Sequence, residues 1–90
     1  MVIEINNTIS NGEPAVGCKF ALYSIDTEEK VAVKTTDEDG YICFDNLEWG
    51  GYYFLQESVP DHLILNTQML SAEIHTPVLQ RHFDFVNEVK

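Results

Sequence analysis

Two polar side chains fall where the alternation of apolar residues points them toward a protein core. Glu57 shares its alternation with Tyr53 and Leu55, and Asn87 follows Phe83 and Phe85 in the same way. Burial raises the pKa of a carboxyl group, because its charged form loses hydration. A protonated carboxyl can donate to a carboxamide oxygen and open the amide carbon to attack by an amine. The pair therefore has the residue types for an amide cross-link between side chains.

The elements that would position this pair are short strands. Period-two alternation recurs along the chain, with turn residues about every 8–12 positions, and helical periodicity is nearly absent. The pattern predicts an all-β sandwich of about seven strands in two sheets. We expect the strands at about residues 2–8, 16–24, 29–35, 41–45, 51–57, 68–75 and 79–88.

Composition narrows the classes of function. The chain has 90 residues, enough for a single domain over 1–90, and a net charge of −10. That charge argues against binding to nucleic acid and against insertion at an anionic membrane, because both attract basic surfaces. Neither a membrane span nor a signal peptide is evident, so the chain is either intracellular or a domain cut from a longer precursor. Alternation places Cys18 inward and Cys43 outward, which predicts two free thiols.

Four ordered segments cover nearly the whole chain. They are GEPAVGCKFALY at 12–23, TTDEDGYICFDNL at 35–47, GYYFLQE at 51–57 followed by Pro60, and FVNE at 85–88. In order and spacing the chain resembles the prealbumin-like B-type domains of Gram-positive surface proteins, the collagen-adhesin B-repeat and pilin-type modules. The resemblance implies a prealbumin-like, Ig-type sandwich. It also implies a stalk or spacer module of an extracellular adhesin or pilin, attached to the cell wall through its parent protein.

Many members of this family join a Lys of the first strand to an Asn or Asp of the last, with a buried Glu or Asp promoting the reaction. By resemblance, Glu57 holds the place of the carboxyl and Asn87 that of the acceptor. Family spacing from Gly12 puts the nucleophile at Asn6, whereas strand parity puts it at Asn7. Either residue is an amide, which does not attack at neutral pH, so we predict no intramolecular isopeptide bond.

The basic residues lie elsewhere: Lys19, Lys30, Lys34, Arg81 and Lys90. Glu57 is then expected to remain as a relic, hydrogen-bonded to Asn7 or Asn87 as a polar plug in the core. An alternative is that a lysine of another chain inserts beside Glu57 and Asn87.

Other candidate sites are weaker. An acidic turn, formed by Asp37, Glu38, Asp39 and Asp45, lacks the spacing of a calcium loop and is best interpreted as a solvated hairpin. His62, His75 and His82 lack metal spacing, although the last two could be neighbours across two strands. No metal or cofactor is expected. The serines have no hydrolase context, so we expect no enzyme.

Parity puts Tyr52 and Phe54 on an outer face, and Trp49 precedes them in a loop. Three aromatic side chains together could form a binding patch, pack on an adjoining domain, or be covered by the segment 63–65. We expect a monomeric spacer whose partners are neighbouring domains of the same surface protein. The alternatives are an adhesive module for a host or matrix protein or a glycan, and an accessory β-domain of a secreted enzyme.

Overall fold

The computed structural model describes residues 2–48, 50–74 and 80–90, with backbone alone for 70–74 and 80. The described residues form seven strands and no helix, which confirms the all-β prediction and its strand count. The strands are β1 Val2–Ile9, β2 Lys19–Ser24, β3 Lys30–Thr35, β4 Tyr41–Phe44, β5 Gly50–Ser58, β6 Leu70–Ile74 and β7 Gln80–Asn87.

The strands divide into two sheets that pack face to face. One sheet has three strands in the order β4-β1-β7, and the other has four in the order β3-β2-β5-β6. Strands β1 and β7 run parallel, with Asn7 opposite Phe85 and Ile9 opposite Asn87. The other pairings are antiparallel. The first and last strands are therefore direct neighbours, an arrangement that brings residues about 80 positions apart into contact.

Alternate residues of both sheets fill the core between them, as period-two strands require. Edge-to-face aromatic contacts join the two sheets: the ring centroids of Phe20 and Phe85 are 5.0 Å apart, and those of Phe54 and Phe83 are 5.1 Å apart. Cys18 is buried and Cys43 half-buried, and both are free thiols, as predicted. In the part of the chain that is described, no helix is long and apolar enough to cross a bilayer.

The sequence prediction of which side chains of β5 point into the core was wrong. Tyr52 and Phe54 point into the core, 7 % and 0 % exposed, whereas Tyr53 and Leu55 are half-buried on the outer face. Positions 52–55 are all apolar, so alternation alone does not distinguish the two faces of this strand. Tyr52 and Phe54 therefore form no outer aromatic patch. Trp49, the third residue of that predicted patch, lies outside the described residues.

Candidate functional site

Three carboxamide side chains are buried together at one end of the core. Asn7 of β1 and Asn87 of β7 are 0 % exposed, and Gln56 of β5 is 3 % exposed. Inward positions of a sandwich are normally apolar, so three adjacent amides there need hydrogen-bonding partners to be tolerated. We call Asn7, Gln56 and Asn87 the carboxamide cluster.

Gln56 and Asn87 form the centre of this cluster by bonding to each other twice. Gln56 Nε2 donates to Asn87 Oδ1 at 2.8 Å, and Asn87 Nδ2 donates back to Gln56 Oε1 at 2.7 Å. The two amide planes thus form a closed pair across the sandwich, since β5 and β7 belong to different sheets. This pair links the two layers by polar contacts within a core made mainly of apolar side chains.

Asn7 completes the cluster from the first strand. Its Nδ2 donates to Asn87 Oδ1 and to the carbonyl of Phe85, both at 3.0 Å. Its Oδ1 accepts a longer bond, 3.4 Å, from Gln56 Nε2. Strand parity therefore identifies Asn7, and not the outward Asn6, as the first-strand residue of the site.

Backbone groups fix which atom of each amide is oxygen and which is nitrogen. The carbonyl of Ile64 can only accept, and it faces Asn87 Nδ2 at 2.8 Å. The N–H of Asn66 can only donate, and it faces Gln56 Oε1 at 3.0 Å. Because these partners are unambiguous, the donor and acceptor directions through the cluster follow from them.

Every polar atom of the cluster has a partner. A buried donor or acceptor left without one costs about 1–3 kcal/mol, so complete pairing is what makes three buried amides compatible with a stable core. Among the described residues, the single buried side-chain polar atom without a hydrogen bond is Glu4 Oε1, on the opposite face of β1. The cluster is therefore a satisfied, uncharged network.

The turn before β4 holds Asn7 in place through the backbone. Asn7 N donates to the carbonyl of Gly40 at 2.7 Å, and the N–H of Ala15 donates to the Asn7 carbonyl at 2.9 Å. Gly40 has φ +70°, and a Cβ there would lie 2.2 Å from Asn7 O. The close approach requires glycine, so this turn is part of how the fold positions the cluster.

A short segment after β5 closes the other side. Ile64 N donates to the carbonyl of Glu88 at 2.9 Å, and Leu63 pairs with Val89 across an isolated bridge. Leu63 is buried, which anchors the segment to the core. The backbone groups of Ile64 and Asn66 are thereby held against the cluster.

Glu57 does not belong to this site, contrary to the sequence prediction. Pairing between β2 and β5 shifts register here, with Phe20 opposite Gln56 and Lys19 opposite Ser58, so Glu57 is an extra residue on β5. Its carboxylate lies on the outer face, 2.6 Å from Lys30 Nζ. The hydrogen bond to Glu57 raises the pKa of Lys30, outweighing the opposing effect of desolvation.

Sequence reasoning missed Gln56, which occupies the inward position that Glu57 was expected to fill. The signal that could have found it is pairing with β2, because the inward Phe20 and Leu22 stand opposite Gln56 and Phe54. The structure therefore brings together Asn7, Gln56 and Asn87.

The chemistry available to this cluster is limited by its atoms. A carboxamide nitrogen shares its lone pair with its carbonyl and is no nucleophile at neutral pH, unlike a neutral amine. Gln56 has no acidic proton to donate to Asn87 Oδ1, unlike a protonated carboxyl. The cluster therefore contains neither an amine that could attack Asn87 nor an acid that could promote the attack.

The other candidate residues form no second site of this kind. Asp37 Oδ1 accepts from the N–H groups of Asp39 and Tyr41, at 2.9 and 3.0 Å, which organises the acidic turn from within. In the described ranges, no group of three or more His, Cys, Asp or Glu side chains is placed to hold a metal. His82 Nε2 lies 3.1 Å from Asp84 Oδ1, and its predicted neighbour His75 lies outside the described residues.

Two tyrosines and one cysteine have raised pKa values in the folded domain. Tyr41 donates to the Glu4 carboxylate, and this bond, with burial, raises the pKa of its phenol. Tyr52 donates to the carbonyl of Glu48 at 2.7 Å, and burial is the main cause of its raised pKa. Desolvation likewise raises the pKa of the Cys18 thiol.

Comparison with known proteins decides the family. A family model described as SpaA, prealbumin-like fold domain, matches residues 2–88. The chain belongs to this family. The match confirms the resemblance to prealbumin-like domains of Gram-positive surface proteins and agrees with the two-sheet architecture. None of the curated proteins compared with the chain matches it.

Solved structures share the fold of this SpaA-type domain at low sequence identity. The TIE protein of Bacillus anthracis superimposes with a TM-score of 0.88 and 20 % identity over 98 % of this chain. BcpA, the major pilin subunit of Bacillus cereus, superimposes with a TM-score of 0.83 and 19 % identity over 96 % of this chain. GBS52, a minor pilin of Streptococcus agalactiae, superimposes with a TM-score of 0.81 and 14 % identity over 99 % of this chain.

This domain spans only a part of those structures: 17 % of the TIE protein, 28 % of BcpA and 44 % of GBS52. Its fold is thus that of one domain within larger chains, including major and minor pilins.

Proposed function

We propose that this domain is a structural spacer of a Gram-positive cell-surface adhesin or pilin and that it does without an intramolecular isopeptide bond. The observation that carries the proposal is the carboxamide cluster. It lies between the first and last strands, the region that the family resemblance assigns to the cross-link, and all three of its side chains are amides.

Hydrogen bonds take over the role of a clasp in this proposal. Asn87 of the last strand bonds to Asn7 of the first and to Gln56 of the facing sheet. These contacts join the same three strands that a Lys–Glu–Asn cross-link would join, and they require no reaction. The spacer would be held by reversible contacts, with neighbouring domains of the same surface protein as its partners.

Localisation and parentage are part of the same proposal. The similarity to pilin domains supports an extracellular, wall-attached location, and the partial coverage of longer chains supports a position within a larger protein. On an immunoblot of the producing bacterium, an antibody against the domain should label polypeptides of the cell-wall fraction that are larger than the domain. Recovery of the antigen only from the cytosol, or only at the domain's own size, would contradict the proposal.

The missing cross-link is tested by intact-protein mass spectrometry under denaturing conditions. Formation of a Lys–Asn amide releases one ammonia, so the mass expected here is that of the unmodified chain. A species lighter by one ammonia, with a cross-linked peptide containing Asn87, would overturn the isopeptide-free part of the proposal.

A further inference from the structure

The outer face of the four-stranded sheet carries a pocket that the carboxamide cluster does not use. It is an open depression of about 370 Å³, lined by Ile25, Glu28, Tyr53 and Met69. We call these four residues the Tyr53 pocket. Its volume is in the range of small binding sites in proteins, about 300–1,000 Å³.

The loop between β2 and β3 builds one wall of this pocket through backbone bonds. Glu28 N donates to the carbonyl of Ser24 at 2.8 Å, and Ser24 N donates to the carbonyl of Glu29 at 3.0 Å. Ile25 N donates to Gly51 O at 2.9 Å, which ties the loop to β5. The acidic side chain of Glu28 is thus carried by an ordered turn beside Tyr53.

Glu28 has φ +59°, a left-handed conformation that is unfavourable for a residue with a side chain. Glycine or asparagine would fit this backbone at lower cost. A strained residue that carries a charge at the rim of a pocket is an observation from which a binding role can be inferred.

The lining of the pocket has the chemistry of a site for a cationic side chain. A cation is attracted both to the face of an aromatic ring and to a carboxylate. Ile25 and Met69 are 40 % and 61 % exposed, and they offer an apolar wall for the methylene stem of such a side chain. The loop also contains Asp26 and Glu29, which add negative charge to that of Glu28.

The same pair of aromatic rings already holds a cation of the protein itself. Tyr53 stacks on Tyr23 with ring centroids 5.0 Å apart and an interplanar angle of 4°. Lys30 Nζ lies 5.9 Å from the Tyr23 centroid and is bonded to the Glu57 carboxylate. The Tyr23 end thus combines a ring, a carboxylate and an ammonium, and the described lining at the Tyr53 end supplies a ring and the Glu28 carboxylate.

We propose that the Tyr53 pocket binds a lysine or arginine side chain presented by a protein partner. This interaction goes beyond the spacer function, because the pocket lies on the outer face and shares no residue with the carboxamide cluster. The net charge of −10 favours the approach of a basic partner over an acidic one.

The probe for this site is a short peptide with both termini blocked, acetyl-Gly-Gly-Lys-Gly-Gly-amide, whose lysine carries its single charge; it is titrated into ¹⁵N-labelled domain. We expect saturable amide shifts centred on residues 25–28 and 53, and weakening of these shifts by added salt. The matched peptide with norleucine in place of lysine keeps the stem and lacks the charge. It should bind roughly 2- to 5-fold more weakly, as expected for loss of an exposed cation contact.

Two variants separate the pocket from general electrostatics. Glu28→Gln should weaken binding of the lysine peptide, because the ring of Tyr53 then attracts the cation without the carboxylate, whereas Glu38→Gln, an equal change of charge in the acidic turn, should leave it unchanged. Tyr53→Leu should weaken binding as well, and dispersed amide spectra would establish that both pocket variants are folded.

Equal affinity for the two peptides, no saturable shifts at millimolar peptide, or equal effects of Glu28→Gln and Glu38→Gln would overturn the proposal. None of these results bears on the mass of the chain or its presence in the cell wall, so failure here is distinct from failure of the spacer function.

Discussion

Gln56 and Asn87 lie on opposite sheets and hold each other through two hydrogen bonds, of 2.8 and 2.7 Å. The oxygen of Asn87 accepts from the amide of Gln56, where a protonated carboxyl at the same position could polarise it. The same contact that promotes chemistry when its donor is acidic becomes a purely structural one when its donor is an amide.

Gln56→Glu should lower the free energy of unfolding at pH 7 by about 3 kcal/mol, because a buried carboxylate cannot donate to Asn87 Oδ1 and loses its hydration. Burial raises the folded-state pKa of the introduced carboxyl above its unfolded value. Stability is therefore retained at low pH, where the group is neutral, and is lost as pH rises through the folded pKa. Urea unfolding at pH 4 and pH 7 measures both quantities.

Glu57→Gln is the matched control, since it changes the adjacent residue on the outer face. It removes an exposed ion pair with Lys30 and should cost less than about 1 kcal/mol at pH 7. A larger loss for Glu57→Gln than for Gln56→Glu would show that the cluster is misassigned.

The double substitution Asn7→Lys with Gln56→Glu should create a cross-link to Asn87. It places a lysine beside Asn87 and a carboxyl group beside the lysine and Asn87. Burial in the core favours the neutral forms of the amine and the acid, which are the reactive ones. We expect the purified double variant to be one ammonia lighter than its sequence, and to resist thermal unfolding better than its unreacted form.

The single variant Asn7→Lys lacks the acid and should keep its full mass, as should the double variant carrying Asn87→Ala in addition. A cross-link in Asn7→Lys alone would show that Gln56 suffices as the hydrogen-bond donor. That result would contradict the role given to the missing acid.

Gly40→Ala should destabilise the domain by more than about 3 kcal/mol. Its Cβ would meet Asn7 O at 2.2 Å and Ala15 N at 3.1 Å, and both are backbone atoms that cannot move without breaking the turn. Gly12→Ala is the control, because Gly12 also has positive φ but has no atom within 4 Å of the added Cβ. It should cost only about 1 kcal/mol of conformational strain. Thermal unfolding of both variants measures the difference, and equal losses would contradict the steric account.

Stability should fall at alkaline pH, beginning near pH 9. The pKa values of Cys18, Tyr52 and Tyr41 are all raised in the folded state, the first two mainly by burial and the third mainly by its bond to Glu4. The unfolded chain then loses these protons first, so stability is complete below the unfolded pKa values and declines as pH rises through the folded ones.

Tyr52→Phe should make this alkaline decline shallower, since it removes one of the three groups, while costing about 1 kcal/mol at neutral pH for the lost bond to Glu48. Urea unfolding from pH 7 to 11 gives the slopes of the parent chain and of the variant, and an unchanged slope in Tyr52→Phe would contradict the assignment.

Much of the fold could be predicted because alternation is clear in most strands. Ile3 and Ile5 in β1, and Phe83 and Phe85 in β7, identify the inward faces that carry Asn7 and Asn87. The same logic placed Cys18 inward. In each case apolar residues occupy one face only, and the pattern determines orientation.

β5 could not be predicted in this way. Its four central residues, 52–55, are all apolar, and the extra residue at Glu57 disturbs the pairing with β2. The face that turns inward is decided by cross-strand partners, which a single strand's pattern does not contain. An error of one residue moved the prediction from Gln56 to Glu57 and so exchanged an amide for an acid.

The parallel pairing of β1 with β7 sets how the domain would respond to tension. Val2 is opposite Gln80 and Ile9 is opposite Asn87, so the beginning of the first strand and the end of the last lie at opposite ends of one ladder. Pulling the two ends apart would shear this ladder along its length, so that its bonds resist together instead of opening one after another. Asn7 and Asn87 sit at the end of that ladder, where a ruptured hydrogen bond can re-form once the tension is released.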